Sequence, residues 1–342
     1  MHTVVLTLTS VVFSILASSL ILLPLGTNPL LVFETIFLES FGDFYGFSET
    51  VVKATPILFC GLAVAIPAWV GLMNIGAEGQ LHVGAAAAAG IALFFPNLST
   101  WILIPTMLGA AMVAGGLWGG IAGVLKACLG VNEVMVTLMG NFIAVLYVDH
   151  LVHGPWKDPA SYGWPQTASF TTAAILPHLG VSRVHLGLLI GLVAAVLLYA
   201  VKRWTTLGLS MRIIHSSPET AAYAGINYRR YFIWTMIVGG GLAALAGAVE
   251  ISAIQGRLRS GISTDYGYTG ILVSWMAGHH PLSVIIIALF IGGLLAGGDN
   301  LQIELGLPFA TVNIVLGLMF FFLLIGGYFF SRKLRQGISG ES

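Results

Sequence analysis

The sequence predicts an all-α polytopic membrane protein, for two reasons. Hydrophobic residues make up 57% of its 342 residues and charged residues only 8%, whereas a soluble domain carries about 25% charged residues. The apolar residues also form long runs, such as the 21 uncharged positions of Thr3–Leu23. A helix of that length crosses a hydrocarbon core of about 30 Å. The formal net charge of +0 gives no indication of a nucleic-acid partner, and none is expected.

The apolar runs divide the chain into about ten transmembrane helices within a single transmembrane domain, residues 1–342. Between the first two spans, residues 26–49 are expected to include a short helix that lies in the membrane interface. A polar link is expected at residues 297–304, before the last span. The predicted spans are Thr3–Leu23, Val51–Val70, Ala77–Phe95, Trp101–Lys126, a fifth that opens at Asn132, Val184–Val201, Tyr231–Ile254, the short Tyr268–Gly278, Leu282–Ala296 and Leu307–Phe330.

Two long loops fix the predicted orientation. Residues 202–230 hold the five basic residues Lys202, Arg203, Arg212, Arg229 and Arg230 against one acid, Glu219. The positive-inside rule therefore predicts that this loop is cytoplasmic. With ten spans, both termini are then cytoplasmic, and the loop of residues 153–182 lies on the outer side.

Small residues in the predicted spans indicate close helix packing. Ala85–Ala89 is a run of small side chains, and the glycine pairs Gly115–Gly116 and Gly119–Gly120 repeat at a spacing of four. Membrane helices approach closely through such small residues.

The stretch from Gly71 to Gln80 interrupts the apolar pattern with Asn74, Glu78 and Gln80 among three glycines. Polar groups at membrane depth are costly unless they face protein or a watery cavity. The stretch predicts an interrupted helix near residues 71–80, whose second half begins near Ala77 and directs its positive end toward the cavity. The alternative is a tight cytoplasmic turn in which Glu78 faces water.

A polar stripe follows in the fifth span. Glu133, Thr137 and Asn141 are spaced four residues apart, so they share one face of a helix. Such a stripe either lines a translocation path or makes hydrogen bonds between helices. The sequence leaves both interpretations open.

The basic loop contains the signature of a short helix. Ser217 can cap it, Pro218 fits the first helical position, Glu219 suits the positive end, and Gly225 can close it after Thr220–Ala224. An exposed helix between two membrane spans is suited to docking on another protein, although it could also be a simple connector.

The chain has no P-loop with which to hydrolyse ATP. A Walker A motif requires a glycine directly before its lysine, whereas the five lysines follow Val52, Leu125, Trp156, Val201 and Arg332. The energy for any transport must therefore come from a partner protein or an ion gradient. No cofactor or metal site is expected in this chain.

Four segments carry a resemblance to a known family. They are Gly71–Gln80 (GLMNIGAEGQ), Val131–Asn141 (VNEVMVTLMGN), Gly154–Pro159 (GPWKDP) and Gly208–Ile226 (GLSMRIIHSSPETAAYAGI). They resemble the permease subunits of ABC importers of the branched-chain amino acid and simple-sugar group, above all the nucleoside-uptake branch, which basic membrane protein type lipoproteins serve. The resemblance extends over about residues 51–330.

The resemblance implies a permease in the inner membrane of a prokaryote, with several partners. These are ATP-binding subunits that use ATP and Mg²⁺, a second related permease that forms a heterodimer, and an extracytoplasmic substrate-binding protein that meets the loop of residues 153–182. The translocation path would be lined or braced by Asn74, Glu78, Gln80, Thr137 and Asn141. The coupling helix would comprise Ser217, Pro218, Glu219, Thr220, Ala221, Ala222 and Gly225.

Nucleosides are the expected substrates under this resemblance, and simple sugars such as ribose are the first alternative. A proton-coupled secondary transporter is the second alternative, in which Glu78, Glu133 or Glu250 carries the proton, because acids within membrane spans are candidates for such a role.

Overall fold

The computed structural model is mostly helical over the residues that it describes, which are 12–13, 16–20, 22–180, 182–308, 310–318, 320–322 and 325. No β-strand forms within these ranges, only two isolated β-bridges. The helices are α1 (Pro29–Phe41), α2 (Phe44–Ala68), α3 (Ala77–Phe94), α4 (Thr100–Leu129), α5 (Glu133–His153), α6 (Leu186–Trp204), α7 (Thr206–Ser216), α8 (Pro218–Tyr223), α9 (Tyr228–Val249, continued as a π-helix over Glu250–Gln255), α10 (Tyr266–Met276) and α11 (Pro281–Glu304). Short 3-10 turns lie at Leu23–Leu25 and Thr172–Ala174.

Six helices in the described part of the chain are long and apolar enough to cross a membrane. They are α2, α4, α5, α6, α9 with its π-helical extension, and α11. The chain is therefore a multi-pass membrane protein, but the predicted count of about ten spans is not confirmed. The predicted first span, Thr3–Leu23, and the predicted last span, Leu307–Phe330, lie partly outside the described residues.

The predicted polar link at residues 297–304 is wrong, because these residues continue the helix α11. The polar side chains of Asp299 and Asn300 have partners within one compact unit of the chain, residues 1–53 and 290–342. Asn300 donates to Glu39 Oε2 at 2.9 Å, and the ammonium group of Lys53 pairs with Asp299. Because these partners satisfy the polar side chains, the helix has no need to end there.

Glycines set the packing of the second unit, residues 54–289. Helices α3, α4 and α9 pack on one another there. A methyl group added at Gly240 of α9 would overlap the carbonyl oxygen of Gly115 in α4, and one added at Gly119 would lie 2.6 Å from the carbonyl oxygen of Met236. The close packing that the glycine spacing predicts is confirmed.

The core of this unit includes two apolar clusters of described residues. The first contains the alanine run of α3, together with residues of α4, α5 and α9 and of the loops near Phe170 and Leu258. The second joins the end of α2 to the basic loop, since Val70 and Leu72 share a cluster with Ile214 and Ala221. The segment that follows α2 is therefore packed directly against helices α7 and α8.

We expect Gly240→Ala to lower the free energy of unfolding by about 1–3 kcal/mol, because the added methyl group forces α4 and α9 apart. The matched control is Gly109→Ala in α4, where an added methyl group meets nothing within 4 Å. Thermal unfolding of the purified variants in detergent measures both changes. Equal melting temperatures for the two variants would contradict this account of the packing.

Candidate translocation site

The break between α2 and α3 begins with a glycine cap. Gly71 has a φ of 81°, its N–H donates to Ala68 O at 3.1 Å, and the N–H of Leu72 donates to Pro67 O at 3.0 Å. These two hydrogen bonds form a Schellman motif, which requires a left-handed residue at the position that Gly71 occupies. The chain is then non-helical until α3 begins at Ala77.

Two buried amides close the middle of the break. Asn74 Nδ2 donates to Gln80 Oε1 at 2.9 Å, and Gln80 Nε2 donates to Asn74 Oδ1 at 3.1 Å. Asn74 Oδ1 also accepts from the N–H of Gly76 at 3.0 Å, which is an Asx-type turn. The amide pair holds the first turn of α3 against the segment that precedes it.

Asn141 of α5 serves the backbone groups that the break leaves without helical partners. Its Oδ1 accepts from the N–H of Gly79 at 2.8 Å, and its Nδ2 donates to the carbonyl oxygen of Ile75 at 2.9 Å. Nδ2 also lies 3.3 Å from the hydroxyl of Tyr268 in α10. One buried carboxamide of α5 therefore joins the break to the first turn of α3 and to α10.

Glu78 is buried, with 4% of its surface exposed, so the alternative in which it faces water is wrong. Its Oε2 accepts from the N–H of Gly267 at 2.7 Å, in the first turn of α10. The side chain of Asp265, the N-cap residue of α10, makes no capping hydrogen bond. Glu78 thus supplies a hydrogen-bond acceptor to the first turn of α10 from another helix. Its Oε1 lies 3.7 Å from His82 Nδ1.

A cavity of about 460 Å³ lies beside the break, between α4 and α5. Its wall is formed by Gly76 of the break, Gln80 of α3, Trp118 of α4, and Thr137 and Gly140 of α5. The remaining wall is apolar. The volume lies within the range of about 300–1,000 Å³ that is typical of small-molecule sites.

The structure brings the five predicted path residues together but gives them different positions. Gln80 and Thr137 border the cavity. Asn74, Glu78 and Asn141 do not line it. Asn74 and Asn141 make hydrogen bonds at the break, and Glu78 makes one to α10. The residues that sequence reasoning missed are Trp118, Gly267 and Tyr268, and no local pattern pointed to the last two, because their partners are more than a hundred residues away.

The helix α8 forms as its capping pattern predicts. Ser217 Oγ accepts from the N–H of Thr220 at 3.1 Å and donates to Glu219 Oε2 at 2.9 Å. The N–H of Glu219 itself and the Ser217 hydroxyl lower the pKa of the Glu219 carboxyl group, so it is ionised at neutral pH. Gly225 follows the helix with a φ of 76°. The tyrosine of this helix, Tyr223, is 95% exposed.

The basic loop contacts the break directly. His215 at the end of α7 donates from Nδ1 to the carbonyl oxygen of Ala68 at 3.1 Å. Ala221 is the buried face of α8, and it belongs to the apolar cluster that contains Val70 and Leu72. A displacement of α7 or α8 therefore reaches the Schellman motif without an intervening helix.

These features define a membrane transport subunit: a buried, braced helix break beside a cavity, joined to an exposed helix in the basic loop. The chain belongs to the family of permease components of branched-chain amino acid transport systems, whose pattern matches residues 46–324. The resemblance in the sequence is thereby confirmed.

Three curated relatives are similar over nearly the whole chain. The glucose ABC transporter permease protein TsgB13 of Haloferax volcanii is 34% identical over 93% of this chain and 86% of its own length. The guanosine ABC transporter permease protein NupP of Bacillus subtilis is 33% identical over 92% of this chain and 91% of its own. The nucleoside ABC transporter permease protein NupB of Lactococcus lactis subsp. cremoris is 30% identical over 94% of this chain and 91% of its own.

We expect Asn141→Leu to destabilise the protein by about 2–6 kcal/mol, because it leaves the N–H of Gly79 and the carbonyl oxygen of Ile75 unpaired in the interior. Thr137→Val is the matched control. The hydroxyl of Thr137 donates to the carbonyl oxygen of Glu133 within its own helix. Loss of the hydroxyl therefore leaves that oxygen with its helical backbone hydrogen bond and no buried group unpaired. Expression level and thermal unfolding in detergent compare the two variants. Similar stability for both would show that Asn141 does not brace the break.

Proposed function

We propose that this chain is the membrane-spanning subunit through which an ATP-driven importer moves nucleosides. The observation that carries the proposal is that Trp118 and Gln80 line the same cavity. An indole offers a face on which a nucleobase can stack. The Gln80 carboxamide pairs with Asn74 through one N–H and its oxygen, and its second N–H and second oxygen lone pair match the donor and acceptor at the edge of a base. The relatives NupP and NupB, whose names state guanosine and nucleosides, support this substrate class.

A simple sugar is the second candidate substrate. It is favoured by the similarity to TsgB13, whose name states glucose. A sugar also presents donors and acceptors to a carboxamide, and its apolar face can pack on an indole. The two candidates differ in the aromatic base, so competition by free nucleobases, ribose and glucose separates them.

The proposed complex contains ATP-binding subunits that use ATP and Mg²⁺, a second related permease and an extracytoplasmic substrate-binding protein. Lactococcus lactis subsp. cremoris has two distinct nucleoside permeases that match this chain, NupB and NupC, which supports a heterodimer. The basic loop would face the cytoplasm, as would both termini, and the loop of residues 153–182 would meet the binding protein. The membrane would be the inner membrane of a prokaryote.

The proton-coupled alternative receives less support from the acids that it requires. Glu78 accepts a hydrogen bond at the start of α10. Glu133 pairs with Lys126 at 2.8 Å, and Glu250 accepts from Gln255 Nε2 at 3.1 Å. Each carboxylate has a structural partner, which accounts for its presence without a proton-carrying role.

The first test is uptake of labelled guanosine into vesicles that contain this chain with its co-purified membrane partners. We expect uptake to require ATP, to persist when an ionophore collapses the proton gradient, and to be inhibited by unlabelled nucleosides more than by glucose or ribose. Inhibition by glucose alone would favour the sugar importer. Uptake by this chain alone, driven by a proton gradient, would overturn the proposal.

The same assay tests the cavity wall. Trp118→Ala should lower the initial rate of guanosine uptake by about tenfold, the effect of losing one stacked base. Trp101→Ala is the control, since Trp101 is 90% exposed at the start of α4 and does not line the cavity. Equal effects of the two substitutions would remove Trp118 from the translocation path.

Tyr223 tests the proposed docking of α8 on an ATP-binding subunit. Tyrosines are frequent anchors of protein interfaces, and this side chain borders a cleft with Glu219, Ala222 and Tyr228. We expect Tyr223→Ala to reduce co-purification of the ATP-binding subunit by about tenfold without changing the melting temperature. Tyr162→Ala is the control, because Tyr162 is 100% exposed in the loop predicted on the other side of the membrane. Normal co-purification of Tyr223→Ala would exclude this anchor.

A further inference from the structure

A second cavity, of about 520 Å³, is separate from the candidate translocation site. It is a groove between the last turns of α6, the helix α7 and the first half of α9. Leu198 and Val201 line it from α6, Met211 from α7, and Trp234 and Val238 from α9. Trp234 is 63% exposed and Val238 is 43% exposed, so the groove opens to the surroundings of the protein.

The groove lies where two membrane-spanning helices, α6 and α9, join the basic loop. Helix α6 ends at Trp204 and α9 begins at Tyr228, and the groove follows the residues on either side of that loop. It is therefore at the depth of the membrane where hydrocarbon meets headgroups. Trp69, Tyr231 and Trp234 are among its walls, and such amphipathic rings are enriched at that depth.

The walls of the groove suit a hydrocarbon chain. The hydroxyl of Thr235, which also lines the groove, donates to Tyr231 O at 2.8 Å within its own helix. This wall hydroxyl is therefore already paired, and burial of an apolar ligand against it leaves it satisfied. A polar solute would gain little from such a surface.

Positive charge lies at the mouth of the groove. Arg230 is part of the lining, and among the described residues it forms no ion pair. The ammonium group of Lys202 lies 4.7 Å from the centre of the Trp69 ring and donates to His279 O at 3.0 Å. Two cations thus lie beside an apolar groove, which is complementary to an anionic headgroup on an acyl chain.

We propose that this groove binds an anionic phospholipid from the leaflet next to the basic loop. One acyl chain lies between α6 and α9, and the phosphate interacts with Arg230. The same lipid contacts Met211 of α7, the helix that also bonds to Ala68 at the start of the break. Occupancy of the groove would therefore support the position of α7, whichever solute the protein carries.

Native mass spectrometry of the purified full-length chain tests the proposal, with phosphatidylglycerol and phosphatidylcholine of identical acyl chains as the probes. We expect the wild-type chain to retain phosphatidylglycerol about fivefold better than phosphatidylcholine, as one basic residue at a membrane surface provides. Arg230→Gln should remove that preference, and Arg230→Lys should keep most of it. Val238→Trp should reduce retention of both lipids, because it fills the groove.

Arg229→Gln is the matched control, since Arg229 is an exposed neighbour on the same helix turn and does not line the groove. It should retain the preference for phosphatidylglycerol. An equal loss in the Arg229 and Arg230 variants would mean that only the general charge of the loop acts, and would overturn the proposal. Equal retention of the two lipids by the wild-type chain would do the same. So would crosslinking of Val238→Cys to a second protein chain in native membranes, because a protein would then cover the groove.

Discussion

The hydrogen bonds of Asn141 are the constraint on which the rest of the candidate site depends. A helix that is interrupted inside a membrane protein exposes N–H and C=O groups where water is scarce, and each unpaired group costs free energy. Asn141 supplies one acceptor to Gly79 and one donor to Ile75. With the break satisfied in this way, α3 can begin inside the bundle, and its first turn can present Gln80 to the cavity.

The position of the break also explains why the basic loop is built as it is. Helix α8 is only six residues long, so its stability comes from its caps and from the burial of Ala221 rather than from its length. That burial occurs in the apolar cluster that contains Val70 and Leu72, just after the end of α2. The short helix and the Schellman motif therefore support each other, and a force applied to the exposed face of α8 is transmitted to the break through apolar contacts and the bond from His215 to Ala68.

The sequence predicts local features of this site and fails on its long-range partners. The break near residues 71–80, the caps at Ser217 and Gly225, and the glycine packing are predictable because each depends on residues close together in the chain. The link at residues 297–304 is wrongly predicted, because its partners are distant in the sequence: Lys53 pairs with Asp299, and Glu39 accepts a hydrogen bond from Asn300. Helix α7 is missed within the basic loop, although Thr205 caps it through the N–H of Gly208. The role of Glu78 at α10 follows only from the fold.

The two cavities distinguish two exposed faces of the membrane bundle. Only 17% of the membrane-spanning stretch of α6 is buried, and only 28% of that of α5. Both helices therefore present apolar side chains outward. The cavity beside α5 is bordered by the carboxamide of Gln80 and the hydroxyl of Thr137. The Thr137 hydroxyl is already paired with Glu133 O, as the Thr235 hydroxyl in the other groove is with Tyr231 O. The difference between the two surfaces is the Gln80 carboxamide, whose second N–H and second oxygen lone pair a polar solute can use and hydrocarbon cannot. The groove beside α6 has charge only at its mouth, where headgroups lie, and its apolar depth suits an acyl chain. On this argument, the cavity beside α5 suits the proposed solute path and the groove beside α6 suits the proposed lipid.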